Sequence, residues 1–185
     1  MVMYYGILLI YNWTNMQRAV RTSTSLKARR ATTSPNLTSE KTLYDFNQSH
    51  FEASWESNII LIRNGIEPSY LVNFAKSAGI SRDRLYLMLD LSRSTIEKKI
   101  KDNELLNVEQ SEKVFSLKKL FFKLDGMLPE KREPGSPTVP AMLMKWLEAP
   151  MPALNGKSPF ELMDTAEGRN MVLNLLEKIE AGVYA

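Results

Sequence analysis

The sequence predicts an all-α protein, a helix-turn-helix module followed by a small helical domain. Three observations predict it. Apolar residues recur at helical spacing, as in Val172, Leu175, Leu176 and Ile179 at i, i+3, i+4 and i+7. Cap and stop residues such as Gly65, Gly79, Ser81, Ser92, Asn107 and Gly182 punctuate the ends of those runs. No stretch carries a strand signal of any strength, and nothing repeats internally.

The elements follow in order. Ser57 to Asn64 reads as a short helix closed by Gly65. Glu67-Pro68-Ser69 opens the next, with Pro68 near the first turn, where a missing N–H costs little. Leu71, Phe74, Ala75 and Ala78 share its inner face, and Gly79 ends it. Ser81 caps a helix carrying Leu85, Met88 and Leu89, Asp90-Leu91 forms a tight turn, and Ser92 caps a helix with Ile96 and Ile100 four apart. Asn103 to Leu106 is the exit. Asn107 to Gln110 resembles a capping box and starts a longer helix through Val114, Leu117, Leu120, Phe121 and Leu124. That helix carries more apolar residues than one face needs, including Phe115, Phe121 and Phe122, and the surplus is expected to help bury a dimer seam. Ala141 to Leu147 is a short helix stopped by Pro150, and Ser158-Pro159 opens a single turn through Met163. Asp164 to Glu167 caps the last helix, which Gly182 stops, with Lys178 in its last turn, where a cation suits the dipole.

These signals divide the chain into a basic N-terminal arm (1–50), a helix-turn-helix domain (51–127), a Pro/Gly/charge-rich linker (128–137) and a C-terminal domain (138–185). In the arm, Arg18, Arg21, Lys27, Arg29 and Arg30 precede the first acid, Glu40. Low hydrophobicity suits a disordered arm, and the charge suits one lying on DNA phosphates; both readings stand. The apolar run Met1 to Trp13 falls short of the roughly 20 residues a membrane span needs and lacks a basic leader, so a cytoplasmic protein is expected, with Met16 an alternative start.

Composition excludes several chemistries. With no cysteine there is no disulfide frame and no thiolate nucleophile or ligand. The single histidine, His50, lies in a polar stretch with no carboxylate pair nearby, so zinc, two-carboxylate and Ser-His-Asp sites have little to stand on. No catalytic residue, metal or cofactor is expected. The net charge of +3 and pI near 9.0 hint weakly at a polyanionic partner.

Local charge is more telling. Arg82, Arg84, Arg93, Lys98, Lys99 and Lys101 face only Asp83, Asp90 and Glu97 across the two short helices. On a wheel, Ile96 and Ile100 define the buried side of the second helix, with Ser94, Lys98 and Lys101 opposite and Thr95 beside them. Cations neutralise phosphates or reach guanine, and short hydroxyls bond to bases or backbone in the groove. The DNA-binding candidates are therefore Arg82, Arg84, Arg93, Ser94, Thr95, Lys98, Lys99 and Lys101. A solvated, charged face in an ordinary bundle would show the same pattern.

The C-terminal third has its own character. From Val139 on, Lys145, Lys157, Arg169 and Lys178 are outnumbered by Glu148, Glu161, Asp164, Glu167, Glu177 and Glu180, which disfavours DNA and suits a protein with a basic cleft. Trp146, Leu154, Phe160, Leu162 and Tyr184 are large apolar residues in a short segment, suited to a core or to interface anchoring. The stretch Lys145 to Leu162 (KWLEAPMPALNGKSPFEL) resembles the "Wl..p...l.g..P.ell" motif of the Xre/MbcA/ParS antitoxins. Asp164 to Gly168 is similar to that family's "dT..G", and Leu176 to Ala185 to its "L.rie.Gv.a" terminus. Gly79-Ile80-Ser81 and Leu91 to Lys99 resemble its DNA-binding half, with Lys98 and Lys99 where arginine is common; the swap keeps charge but loses the bidentate fork.

The resemblance, over roughly residues 56–185, implies a homodimeric, non-enzymatic antitoxin and autorepressor that binds double-stranded operator DNA. It also implies a cognate RES-domain toxin acting on NAD, whose cleft the C-terminal domain covers. The toxin-binding candidates are Trp146, Pro159, Glu161, Leu162, Thr165, Gly168, Arg169, Gly182, Val183 and Tyr184. The tail Gly182 to Ala185 either reaches into that cleft or folds back on the last helix. The competing class is a stand-alone transcriptional regulator whose C-terminal domain only dimerises.

Overall fold

The computed structural model describes residues 54–129, 132 and 135–182. Within them lie seven α-helices and two 3-10 turns, with no strand among the described residues. The helices are α1 (Trp55–Asn64), α2 (Ser69–Ala78), α3 (Arg82–Met88), α4 (Arg93–Asp102), α5 (Val108–Gly126), α6 (Val139–Glu148) and α7 (Ala166–Glu180). The turns, Pro152–Leu154 and Pro159–Leu162, lie between α6 and α7. The basic arm, His50, Met16 and the tail residues Val183 and Tyr184 lie outside the described residues.

Local chemistry sets most helix ends. Asn107 and Gln110 form the expected capping box on α5, with Asn107 Oδ1 accepting from Gln110 N at 2.8 Å and Gln110 Oε1 from Asn107 N at 3.1 Å. Ser81 and Thr138 cap α3 and α6 through their hydroxyls. Gly79 ends α2 in the left-handed region at φ 70°. Helix α1 starts two residues before the expected Ser57, because the Ser54 hydroxyl accepts from Ser57 N. Ser92 precedes α4 but makes no side-chain cap; its hydroxyl is engaged by those of Ser94 and Thr95. The turn Pro152–Leu154, not among the expected elements, ends at Asn155 in the left-handed region at φ 55°.

Helix α5 is the axis of the fold. It packs against α1, α6 and α7, while α2 packs against α3 and α6. One continuous apolar core results, running from Phe74, Leu85 and Ile96 through Leu117 and Leu120 to Leu143, Leu147, Val172 and Leu176. The Thr138 hydroxyl donates to Ser77 O at 2.6 Å, fixing the start of α6 against the end of α2. Phe115 and Phe121, expected as surplus for a dimer seam, are buried within the chain, and Phe122 is half-buried. Three neighbouring helices use more than one face of α5, which a single-face count could not anticipate.

Candidate functional site

Helices α3 and α4 are joined by Leu89 to Ser92, with Asp90 in the left-handed region at φ 48°. Aspartate visits that conformation more readily than most residues. Here the turn is also held from below, where Lys113 Nζ of α5 donates to Asp90 O at 2.8 Å and lies 3.1 Å from Asp90 Oδ2. A second clamp sets the two helices against each other. The Tyr86 hydroxyl donates to Glu97 Oε1 at 3.2 Å, and Arg82 Nη1 pairs with Glu97 Oε2 at 2.9 Å. Burial and the neighbouring Glu97 carboxylate push the Tyr86 phenol up to about 12, so it stays a donor at neutral pH.

The eight DNA-binding candidates separate into two groups. Ser94, Thr95, Lys98 and Lys101 stand exposed on α4, and neither lysine has an ion-pair partner among the described residues. The other four are engaged within the chain. Arg82 holds Glu97, Arg93 pairs with Asp83 at 2.7 Å, and Lys99 donates to Leu105 O at 2.7 Å. Arg84 turns away from α4, pairing with Glu148 of α6 at 2.6 Å, with its guanidinium 4.9 Å from the centre of the Phe160 ring.

In the C-terminal part, most motif residues build a turn. Thr165 caps α7, its hydroxyl accepting from Gly168 N at 3.1 Å. Gly168 is buried, and a Cβ there would strike the Leu162 carbonyl, so only glycine lets α7 approach the turn this closely. Arg169, 8% exposed, donates to Met163 O at 3.2 Å and Asp164 O at 3.1 Å. Those two bonds satisfy carbonyls where the chain passes from the 3-10 turn into α7. Pro159 and Trp146 are buried. Glu161 is exposed, yet its Oε1 accepts from both Ser158 N and Ser158 Oγ at 2.9 Å. Those bonds from Ser158, backbone first, hold its carboxyl below the usual range. Leu162 is half-buried, and Gly182 is exposed at φ 65°.

What this turn offers outward is a face the motif did not mark. Met171 of α7 is 50% exposed, with Glu167 and Asn174 exposed beside it at i−4 and i+3. Its place outside the Val172, Leu175, Leu176, Ile179 stripe was readable from the sequence. Among the described residues no cluster of His, Asp and Glu could hold a metal, and no helix is long and apolar enough to cross a membrane.

Residues 58–117 match the family model of the antitoxin Xre-like helix-turn-helix domain. Residues 138–182 match that of the antitoxin Xre/MbcA/ParS C-terminal toxin-binding domain. The chain is 34% identical over 135 residues to the "Prs ADP-ribosylating antitoxin" of Sphingobium sp. (strain YBL2), a match covering 73% of this chain and 85% of the relative.

Proposed function

Because this chain belongs to the Xre/MbcA/ParS antitoxin family, we propose that it neutralises a cognate RES-type, NAD-targeting toxin and represses its own operon by binding operator DNA. It acts by binding, not by catalysis. The observation that carries this reading is the division of chemistry along one chain. The first matched region presents Ser94, Thr95, Lys98 and Lys101 on one exposed helix face, suited to a polyanion. The second presents an acidic surface on which Met171 is exposed, suited to a protein with a basic cleft. The name of the Sphingobium relative supports an NAD-consuming toxin, since ADP-ribosylation draws its transferred group from NAD.

In this reading Lys98 and Lys101 contact phosphates, Ser94 and Thr95 meet base edges or backbone, and Arg93 exchanges Asp83 for a phosphate. A homodimer would place two such helices at half-sites roughly 34–36 Å apart. The toxin contact is made by Met171, Glu167 and Glu161, with Pro159, Thr165, Gly168 and Arg169 fixing the shape beneath them. The tail candidates Gly182, Val183 and Tyr184 belong to the same proposed toxin contact.

The test is co-expression with the toxin encoded beside it. The full chain should co-purify with that toxin, restore growth, and shift the promoter fragment of its own operon in a gel. Rescue without any promoter binding would sink the repressor half. Promoter binding without rescue or co-purification would sink the antitoxin half.

A further inference from the structure

Arg84 belongs to the helix-turn-helix region, yet its side chain serves the other one. Its Nε donates to Glu148 Oε1 at 2.6 Å, and its guanidinium lies 4.9 Å from the centre of the Phe160 ring. Glu148 is the last residue of α6, and Phe160 lies in the turn Pro159–Leu162. Between them runs the loop 149–158, tied to itself where Met151 N donates to Lys157 O at 3.0 Å and Gly156 N to Met151 O at 2.9 Å. One planar group therefore grips both ends of that loop. The residue after Phe160 is Glu161, exposed and held through its carboxylate by Ser158. The support behind Arg84 is firm. The Ser81 hydroxyl caps its helix by accepting from Arg84 N at 3.2 Å, and α2 packs against both α3 and α6.

We propose that Arg84 is a positioning residue of the toxin contact: by holding Glu148 and covering Phe160 it fixes the turn that carries Glu161, so that the helix-turn-helix region completes the toxin-binding surface. The proposal rests on the reading of that turn as part of the toxin contact. Three observations support it. The residue type suits the task, because a guanidinium offers an N–H edge to a carboxylate and a flat face to a ring at once, which an ammonium cannot do. The pair is half open to solvent, with the Arg84 and Glu148 side chains 49% and 37% exposed. Exposed pairs add little to global stability, so this one acts on local geometry. The direction of the side chain also matters. Held by both Glu148 and Phe160, Arg84 would have to give up both to reach a phosphate, whereas Ser94, Thr95, Lys98 and Lys101 stand exposed on α4. Pairing also neutralises Glu148, which leaves Glu161 and Glu167 as exposed acids to meet a basic cleft.

The experiment compares the full chain with its Arg84→Ala variant in two measurements. One is amide hydrogen exchange of the free protein, read by mass spectrometry over residues 149–163; the other is affinity for the toxin encoded beside it. Exchange in that segment should quicken about fivefold in the variant, and toxin affinity should fall about fivefold, the size that loss of one exposed ion pair and one cation–π contact allows. Operator affinity should stay the same. Arg84→Glu together with Glu148→Arg should recover most of both losses, a rescue that a general packing defect would not give. Unchanged exchange over 149–163 would overturn the proposal without reference to any toxin. So would quickened exchange at undiminished toxin affinity, or a loss of operator affinity at unchanged toxin affinity, which would return Arg84 to the DNA interface. A wild-type chain that binds no toxin would instead sink the antitoxin reading, and this role with it.

Discussion

The two matched regions of this chain place their candidate contact residues differently. In the helix-turn-helix region, Ser94, Thr95, Lys98 and Lys101 lie on the surface, and a separate set, Leu85, Leu89 and Ile96, does the packing. In the C-terminal region, Trp146, Pro159, Gly168 and Arg169 are themselves buried, and the outward face is made by residues such as Met171 that no motif marks. A polyanion is met by charge, which a helix can present without disturbing its core. A shaped protein contact needs a rigid turn, and here the signature residues supply the rigidity. The difference teaches that a family motif can specify a surface by fixing what lies beneath it.

The strongest way to break this contrast is Gly168→Ala. A methyl group driven into the Leu162 carbonyl should destabilise the fold by about 3 kcal/mol or more, seen as a lowered midpoint in thermal or urea denaturation. Toxin affinity should fall with it. A variant of normal stability would show that the turn is slack and that Gly168 faces a partner.

A second test concerns α5, the helix against which α1, α6 and α7 pack. Burial lowers the Lys118 ammonium from 10.5 to about 8. Between these values the unfolded chain holds a proton that the folded chain has released. Stability should therefore rise as pH climbs from about 8 to 10.5, by on the order of 2–3 kcal/mol. Lys118→Met should remove that rise, measured as unfolding free energy against pH beside the wild type. An identical slope in both proteins would place the pH dependence elsewhere.

Lys98→Glu with Lys101→Glu sharpens the charged side of the comparison. The phosphate contacts proposed for these two lysines would become repulsive, so operator binding near 150 mM salt should weaken about 100-fold or more while toxin binding is unchanged. Fluorescence anisotropy against salt would show a shallower slope for the variant. Undiminished affinity would remove α4 from the DNA interface. The smallest effect is expected from Met171→Asp, which should cost about tenfold in toxin affinity at an unchanged melting temperature and leave DNA binding alone. An equal loss for DNA and toxin would mean that the two regions do not separate as drawn.

Helix boundaries were legible because they rest on bonds between residues two to four apart. Asn107 with Gln110, Ser81 with Arg84 and Thr165 with Gly168 each form their cap within a single turn. The burial of Val172, Leu175, Leu176 and Ile179 was likewise readable, because helical periodicity assigns a face without knowing what covers it. The family signature, too, lay in the order of residues alone.

The tertiary structure alone decided which neighbours those faces found. Arg84 looked like a DNA contact beside Arg82 and Arg93; packing α2 on α6 brings Glu148, 64 positions away, to 2.6 Å of it. Lys113 beneath Asp90, Phe115 and Phe121 spent inside the chain, and the close approach of α7 to Leu162 depend in the same way on where helices cross. Capping and periodicity act within one or two turns of chain, so sequence determined them. Crossing geometry follows from filling one core with side chains from every helix at once, and no local segment carries that sum.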